Sequence, residues 1–289
     1  MLHPPSVALI PRSEPQMPAH CTMTALFAYP MKGCRAMPVD SATISPAGIE
    51  GDRQLMVLRD GKSANQARLP RLATVTAQRI DATTLAFNSQ ERQPLTHAIT
   101  SSGEETTVNY YGNQVAVVDQ GDQLAKWFSS VVGTEVRVAA LKASYRRSIP
   151  LDEFAPIDGI AHSGFVDVAP ILVTNEASLA DLNARLDAPV PMNRFRPNIV
   201  VEGLDAYAED SLATLHSPSL RLVRATHCER CVVTCTDQET GERASEPLAT
   251  LKSYRHRQNG YAGGVMFGAY MGVEGTATIR VGDRLTVGH

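Results

Sequence analysis

Three of the chain's five cysteines fall in one short stretch, "HCERCVVTCTDQETG", His227 to Gly241. Thiols this close can do a small number of things. Two can close a disulfide. Cys228 and Cys231 can supply half of a zinc site, which normally needs four ligands from two pairs. A Cys-x-x-Cys at the start of a helix is a redox pair, because the helix terminus lowers one thiol's pKa. A single thiolate suits a soft metal that takes one protein ligand. A buried thiol also packs as a small hydrophobe with no chemistry at all.

The neighbouring residues weigh on these options. No second Cys-x-x-Cys is present, and nothing in the spacing requires Cys34 and Cys235 to complete a zinc set. After Cys231 comes Val-Val-Thr-Cys-Thr, a β-branched run that predicts a strand rather than a redox helix. On a strand Val232 and Thr234 face one way and Val233 and Cys235 the other, which makes Cys235 a packed core residue. Cys231 stands at the turn into that strand, next to Arg230, where its sulfur is expected to face a cavity.

Composition narrows the setting. At 289 residues, 43% hydrophobic and 20% charged, the chain can bury one large or two modest cores. It has no run of about 18 apolar residues, so no membrane-spanning segment is expected. A net charge of -3 gives no basic character to recruit nucleic acid or a membrane surface. Residues 1–20 hold five prolines within the first 18 and lack the basic start and apolar core of a signal peptide. They are expected to be a flexible extension, with Met23 as a candidate natural start. An odd cysteine count without an export signal argues against a disulfide framework and for a reducing cytoplasm.

The elements that must hold the thiols in place are mostly strands. "TALFAYP" and "RQLMVLRDGKSA" are strand-rich, the second broken by an Asp60-Gly61 turn. "TTVNYYGNQVAVV" predicts a hairpin around Gly112-Asn113, and "RPNIVVEG", "SLRLVRATH" and "TATIRVGDRLTVG" continue the β character. Two helices interrupt it. Leu124, Trp127, Phe128 and Val131 form one apolar face, with Asp122 as expected N-cap and Gly133 as stop. Leu179, Leu182 and Leu186 form a second stripe, capped by Thr174 or Asn175. The expected class is α+β, predominantly β: antiparallel barrel-like sheets with a few covering helices. A polar segment with two prolines, Leu141 to Gly159, marks an expected boundary between units at 21–140 and 141–289.

The segment "CERCVVTCTDQETGERASEPLATLKSYR" resembles the C-terminal part of MOSC-domain proteins of the amidoxime-reducing kind. "YPMKGC", "GDR", "TNEASLADLNARL", "NRFRPNIVVEG", "YAEDSL" and "FGAY…IRVGDRL" follow the family's order from about residue 23 to the C-terminus. The resemblance implies a MOSC N-terminal β-barrel domain followed by a MOSC domain, and a bound molybdenum–molybdopterin cofactor. It implies that the second cysteine of the Cys-x-x-Cys, Cys231, ligates the metal; an inert buried thiol is the plainer reading of Cys228. It also implies that Lys32, Arg53, Arg196, Asn198, Glu229, Arg230 and Tyr270 line the cofactor. Arg forks and a Lys charge match an anionic pterin phosphate. Plainer roles stand beside these: Arg53 can pair with Asp52, Asn198 can bond its own turn, and Tyr270 can pack in the β core. The chain departs from the family at Gly33, where a serine is common, at Ala169 in "DVAP", and at Thr234-Cys235 in place of a threonine pair.

The implied activity is reduction of N-hydroxylated or N-oxygenated small molecules, with Asp237 as a proton relay or, equally, a turn aspartate. No cysteine follows Cys235, so no iron–sulfur cluster is expected in this chain, and electrons are expected from a separate donor protein. The alternative from another class is a molybdenum-cofactor or sulfur carrier module without its own redox turnover. A third reading is a metal-free binding scaffold.

Overall fold

Period-two burial builds most of this molecule. The computed structural model describes residues 19–103, 105–110, 113–142, 164–257 and 264–288. Most of the Pro-rich extension, the boundary segment beyond Lys142 and the two residues between the hairpin strands lie outside them.

Seven strands close a barrel. Ile199–Glu202, Ile171–Asn175, Met266–Glu274, Leu220–Glu229, Thr214–Ser217 and Arg284–Gly288 are joined in that order by hydrogen bonding, and His20–Ala28 closes the ring by pairing both Arg284–Gly288 and Ile199–Glu202. All described pairs are antiparallel except Ile171–Asn175 with Ile199–Glu202, which run parallel because helix Glu176–Asn183 lies between them in sequence. The barrel therefore takes its strands from both ends of the chain. Its first strand opens at His20, before Met23, because His20 and Cys21 find partners in Thr286 and Leu285. Met23, Leu26, Ile171, Val173, Ile199 and Leu222 fill the interior.

A second, five-stranded antiparallel sheet runs Glu105–Tyr110, Asn113–Asp119, Arg137–Leu141, Leu55–Arg59, Lys62–Ala64. Its last turn is Asp60-Gly61, with φ of 52° and 69°. Positive φ at both central residues is the twist a two-residue hairpin needs. The hairpin expected around Gly112-Asn113 is shifted by one position: Asn113 opens the second strand opposite Tyr110. Helix Asp122–Val132 covers this sheet with Leu124, Phe128 and Val131 and stops at Gly133 in the left-handed region. Asp122 is its first helical residue rather than its cap; Gly121 holds the cap position. In the helix Glu176–Asn183 the cap is Asn175, whose side chain accepts from the Ala177 N–H.

One expectation fails where it matters. Val232–Cys235 is a turn of 3-10 helix, not a strand. The Thr234 N–H and Oγ1 both donate to the Cys231 carbonyl, and the Thr236 N–H donates to Val233, so the segment satisfies itself. β-branched residues favour a strand only when a neighbouring edge is there to pair with. The strand lies upstream instead. In Leu220–Glu229 the buried residues Leu220, Leu222, Ala225 and Cys228 are spaced two, three and three apart. Two register shifts against Met266–Glu274 accompany the longer steps: the first puts an extra residue in this strand between Arg224 and Thr226, the second puts one in the partner between Ala269 and Met266, and each re-aims the side chains beyond it. They turn Cys228 inward and deliver Cys231 to the surface two residues past the strand's end.

Candidate functional site

The Tyr29–Cys34 turn, the segment after Phe165, the end of the Met192–Phe195 turn and the Glu229–Val233 segment enclose a cleft of about 810 Å³, part of it open to solvent. Lys32, Arg53, Arg196 and Asn198 line one part of it. Glu229, Arg230, Cys231 and Tyr270 line it too, beside Phe195 and Leu172.

Arg53 and Arg196 are positioned by a residue the motif reading passed over. The Tyr29 ring is fully buried, and both guanidiniums lie over it, 4.6 and 4.5 Å from its centroid. Its hydroxyl donates to the Pro197 carbonyl at 2.8 Å, which ties the "FRPN" turn to the "YPMKG" turn. Both arginines hold left-handed backbone, with φ of 48° and 56°. For a non-glycine residue this costs free energy and persists only where the surroundings over-determine it. Here the Arg53 N–H donates to Tyr29 at 2.6 Å and its carbonyl accepts from Phe165 at 2.9 Å.

The two cations differ in partners. Arg53 pairs closely with the buried Asp52, which also accepts the Tyr29 N–H and an Asn198 amide hydrogen. Burial disfavours the Arg53 cation, and the Asp52 carboxylate outweighs burial, so its pKa lies above the ordinary arginine value. Arg196 donates to the Cys34 carbonyl at 2.7 Å and reaches Gln238 Oε1 at 3.4 Å. Among the described residues it makes no ion pair, and burial pulls its pKa below the ordinary value. Arg230, 7% exposed, donates to Cys228 Sγ and to the Phe195 carbonyl, makes no ion pair among the described residues, and has its Nε buried with no partner. Lys32 pairs with Asp167 and donates to the Phe165 carbonyl at 3.1 Å.

The thiols are not equivalent. Cys231 is exposed into the cleft, while Cys228 and Cys235 are buried. Burial raises the Cys228 thiol's pKa despite the Arg230 guanidinium against its sulfur. Cys235 donates to the Ser245 carbonyl at 3.3 Å, an ordinary packed thiol. All five cysteines are free, and among the described residues no three Cys, His, Asp or Glu side chains converge as a metal cluster.

Asp237 does not line the cleft. Its carboxylate receives Arg194 at 2.8 Å and the Glu239 and Thr240 N–H groups, as a turn aspartate does. The residue beside it, Gln238, does more for the site. Gln238 and Gln66 exchange side-chain amide hydrogen bonds at 2.9 and 3.0 Å, both buried, and Gln66 also donates to the Gly33 carbonyl. This pair locks the segment after Cys231 to the Lys32-Gly33 turn. Glutamines spread over the sequence carry no motif, so nothing marks them before folding. Tyr29 does have a signal, since it directly precedes Pro30 in "YPMKGC".

A cleft that gathers an exposed thiol and two cations without carboxylate partners among the described residues suits an anionic, thiol-anchored group, since a desolvated charge is stable only when paired. The MOSC N-terminal beta barrel domain matches residues 20–135, and the MOSC domain matches residues 161–286. Mitochondrial amidoxime-reducing component 1 of Homo sapiens is 34% identical over 91% of this chain and 81% of its own length. Mitochondrial amidoxime reducing component 2 of Bos taurus is 31% identical over 91% and 82%, and that of Rattus norvegicus 32% over 94% and 85%. Among the described residues no helix is long and apolar enough to cross a membrane. Barrel, cleft and comparisons together make this chain a member of the MOSC-domain family that includes the amidoxime-reducing components.

Proposed function

We propose that the chain is a molybdenum-cofactor-dependent reductase of N-hydroxylated and N-oxygenated small molecules, supplied with electrons by a separate protein. The observation that supports this best is the exposed Cys231 thiol sharing one cleft with Arg196 and Arg230, which have no carboxylate partner among the described residues. Cys231 would hold the metal as its one protein ligand. Arg53, Arg196, Lys32 and Asn198 would hold the pterin's phosphate, whose charge Arg196 lacks at present. Glu229, Arg230 and Tyr270 form the wall next to the thiol. When bound, the molybdenum–molybdopterin group supplies two-electron redox chemistry that takes oxygen from nitrogen.

The overall reaction consumes two electrons and two protons: the N–O bond breaks and water leaves, and on an N-hydroxylated substrate an N–H bond replaces the N–O bond. The chain's own residues fix the position of the reacting centre. The Gln66–Gln238 pair and the Arg230 contacts to Cys228 and Phe195 hold the Cys231 segment from both sides. The Asp237 carboxylate is engaged by Arg194 and two backbone N–H groups, so a turn-stabilising role is the one its contacts support.

The test is metal and pterin analysis of protein made in a molybdate-fed host, then turnover of benzamidoxime with a chemical reductant. About one molybdenum per chain with benzamidine formation is expected. Metal bound without turnover would make the chain a carrier. Absence of both metal and pterin would leave only a scaffold.

A further inference from the structure

Two cleft arginines share one aromatic ring but differ in what else holds them. Arg53 is held by the Asp52 carboxylate, which fixes its place and answers its charge together. Among the described residues, Arg196 is held by neutral groups alone. These are the Cys34 carbonyl at 2.7 Å, the Gln238 side-chain oxygen at 3.4 Å, and the Tyr29 ring, whose centroid lies 4.5 Å from the guanidinium carbon. Asp52 is already engaged by Arg53, the Tyr29 N–H and an Asn198 amide hydrogen. A carboxylate seat positions a guanidinium and neutralises it. An aromatic face attracts it through the ring quadrupole and leaves its net charge for a ligand.

Tyr29 is itself fixed on every side. Its side chain is fully buried, its N–H donates to Asp52 at 2.6 Å, and its carbonyl accepts the Arg53 N–H at 2.6 Å. Its hydroxyl donates to the carbonyl of Pro197, the residue after Arg196, at 2.8 Å. The same tyrosine therefore anchors the backbone that carries Arg196 and takes the Arg196 side chain on its ring. Burial pushes the Tyr29 phenol up to about 12, so the seat stays neutral near pH 7. Burial, and then the Arg53 charge nearby, disfavour the Arg196 cation, and an anion in the cleft relieves both.

We propose that Tyr29 is a positioning residue for the cleft's anionic ligand: its ring holds Arg196 in place without neutralising it, and so sets anion affinity through Arg196. Only the step from an anion to the pterin phosphate rests on the function proposed above.

The test changes the ring's face and keeps its volume. Tyr29→Phe is made in the full-length chain, followed by mono-, di- and trifluorophenylalanine at the same position. Each fluorine withdraws charge from the ring face, so a cation over it is held less well while packing stays nearly constant. The series is repeated with Arg196→Ala. Inorganic phosphate is titrated calorimetrically into protein from a host that makes no molybdopterin. Pterin content is measured on protein from a molybdate-fed host, and thermal melts confirm that each variant folds. Phosphate affinity should fall stepwise, by about threefold or more from Tyr29→Phe to the trifluorinated ring, the scale of a cation–π contact. With Arg196→Ala, binding should be flat across the series or lost. Equal affinity across the fluorinated rings would reduce Tyr29 to packing and overturn the assignment. So would a stepwise fall that persists with Arg196→Ala, or a wild type that binds no phosphate. Stepwise phosphate binding with no pterin in the molybdate-fed protein would sink the cofactor reading and leave the Tyr29 assignment standing.

Discussion

Replacing the cysteines one at a time separates what holds the metal from what holds the fold. Cys228 is fully buried, and Arg230 donates to its sulfur. Cys228→Ala removes a core sulfur and strands a buried guanidinium whose Nε already lacks a partner. The cavity costs about 1 kcal/mol and the lost charge-assisted bond about 1.5–3, together roughly 2–4 kcal/mol. For a chain of this size that lowers the melting temperature by roughly 4–16 °C. Cys228→Ser keeps an acceptor for Arg230 and should retain most of both stability and metal. Cys231 is exposed and makes no capping side-chain bond to the turn it precedes. Cys231→Ser should therefore leave the melting temperature of the metal-free protein within about 2 °C, as surface changes do. The soft thiolate is gone, however, so molybdenum should fall to background. Thermal melts beside metal analysis on the same preparations give both readouts. Equal metal loss in Cys228→Ser and Cys231→Ser, or unfolding of both as in a zinc site, would refute the one-ligand assignment.

Arg53 and Arg196 should split in the opposite sense: Arg53→Ala strands the buried Asp52 and should cost about 3–5 kcal/mol by denaturant melt. Arg196→Ala removes a cation with no ion-pair partner among the described residues but leaves the Cys34 carbonyl without its donor, and should cost about 1–3 kcal/mol, less than Arg53→Ala, while cofactor retention falls. Gln238→Leu leaves the Gln66 amide half-satisfied and should cost about 1–3 kcal/mol, with pterin released faster on dialysis than from the wild type. Glu209 is fully buried, takes a hydrogen bond from Ser178, and has its pKa pushed up by burial from 4.5 to about 7. The folded state therefore binds more protons than the unfolded one between those values, so stability should fall as pH rises through that window. Glu209→Gln should flatten this slope, read as melting temperature from pH 5 to 8; an unchanged slope would remove Glu209 as its source.

Local patterning was enough to read most of the elements. The Asp60-Gly61 turn, the apolar face Leu124–Phe128–Val131 and the Gly133 stop are each written within a few residues, because the hydrogen bonds and side-chain directions involved are themselves local. Lys32, Arg53, Arg196 and Cys231 were singled out by the family resemblance of the motifs that carry them, and the fold brings these residues to one cleft. Tertiary contact decided the rest. His20–Ala28 closes the barrel against strands some 180 and 265 residues away, a pairing no local window contains. Val232–Cys235 has strand propensity but no strand edge to join, so it curls into a turn and leaves Cys231 exposed. Asp237 was legible only as a carboxylate near a thiol; its partner Arg194 comes from another segment. The Gln66–Gln238 exchange and the two guanidiniums over Tyr29 exist only once distant segments are packed. A side chain's type belongs to the sequence, but its partner, and with it its charge environment, belongs to whatever the folded chain places beside it.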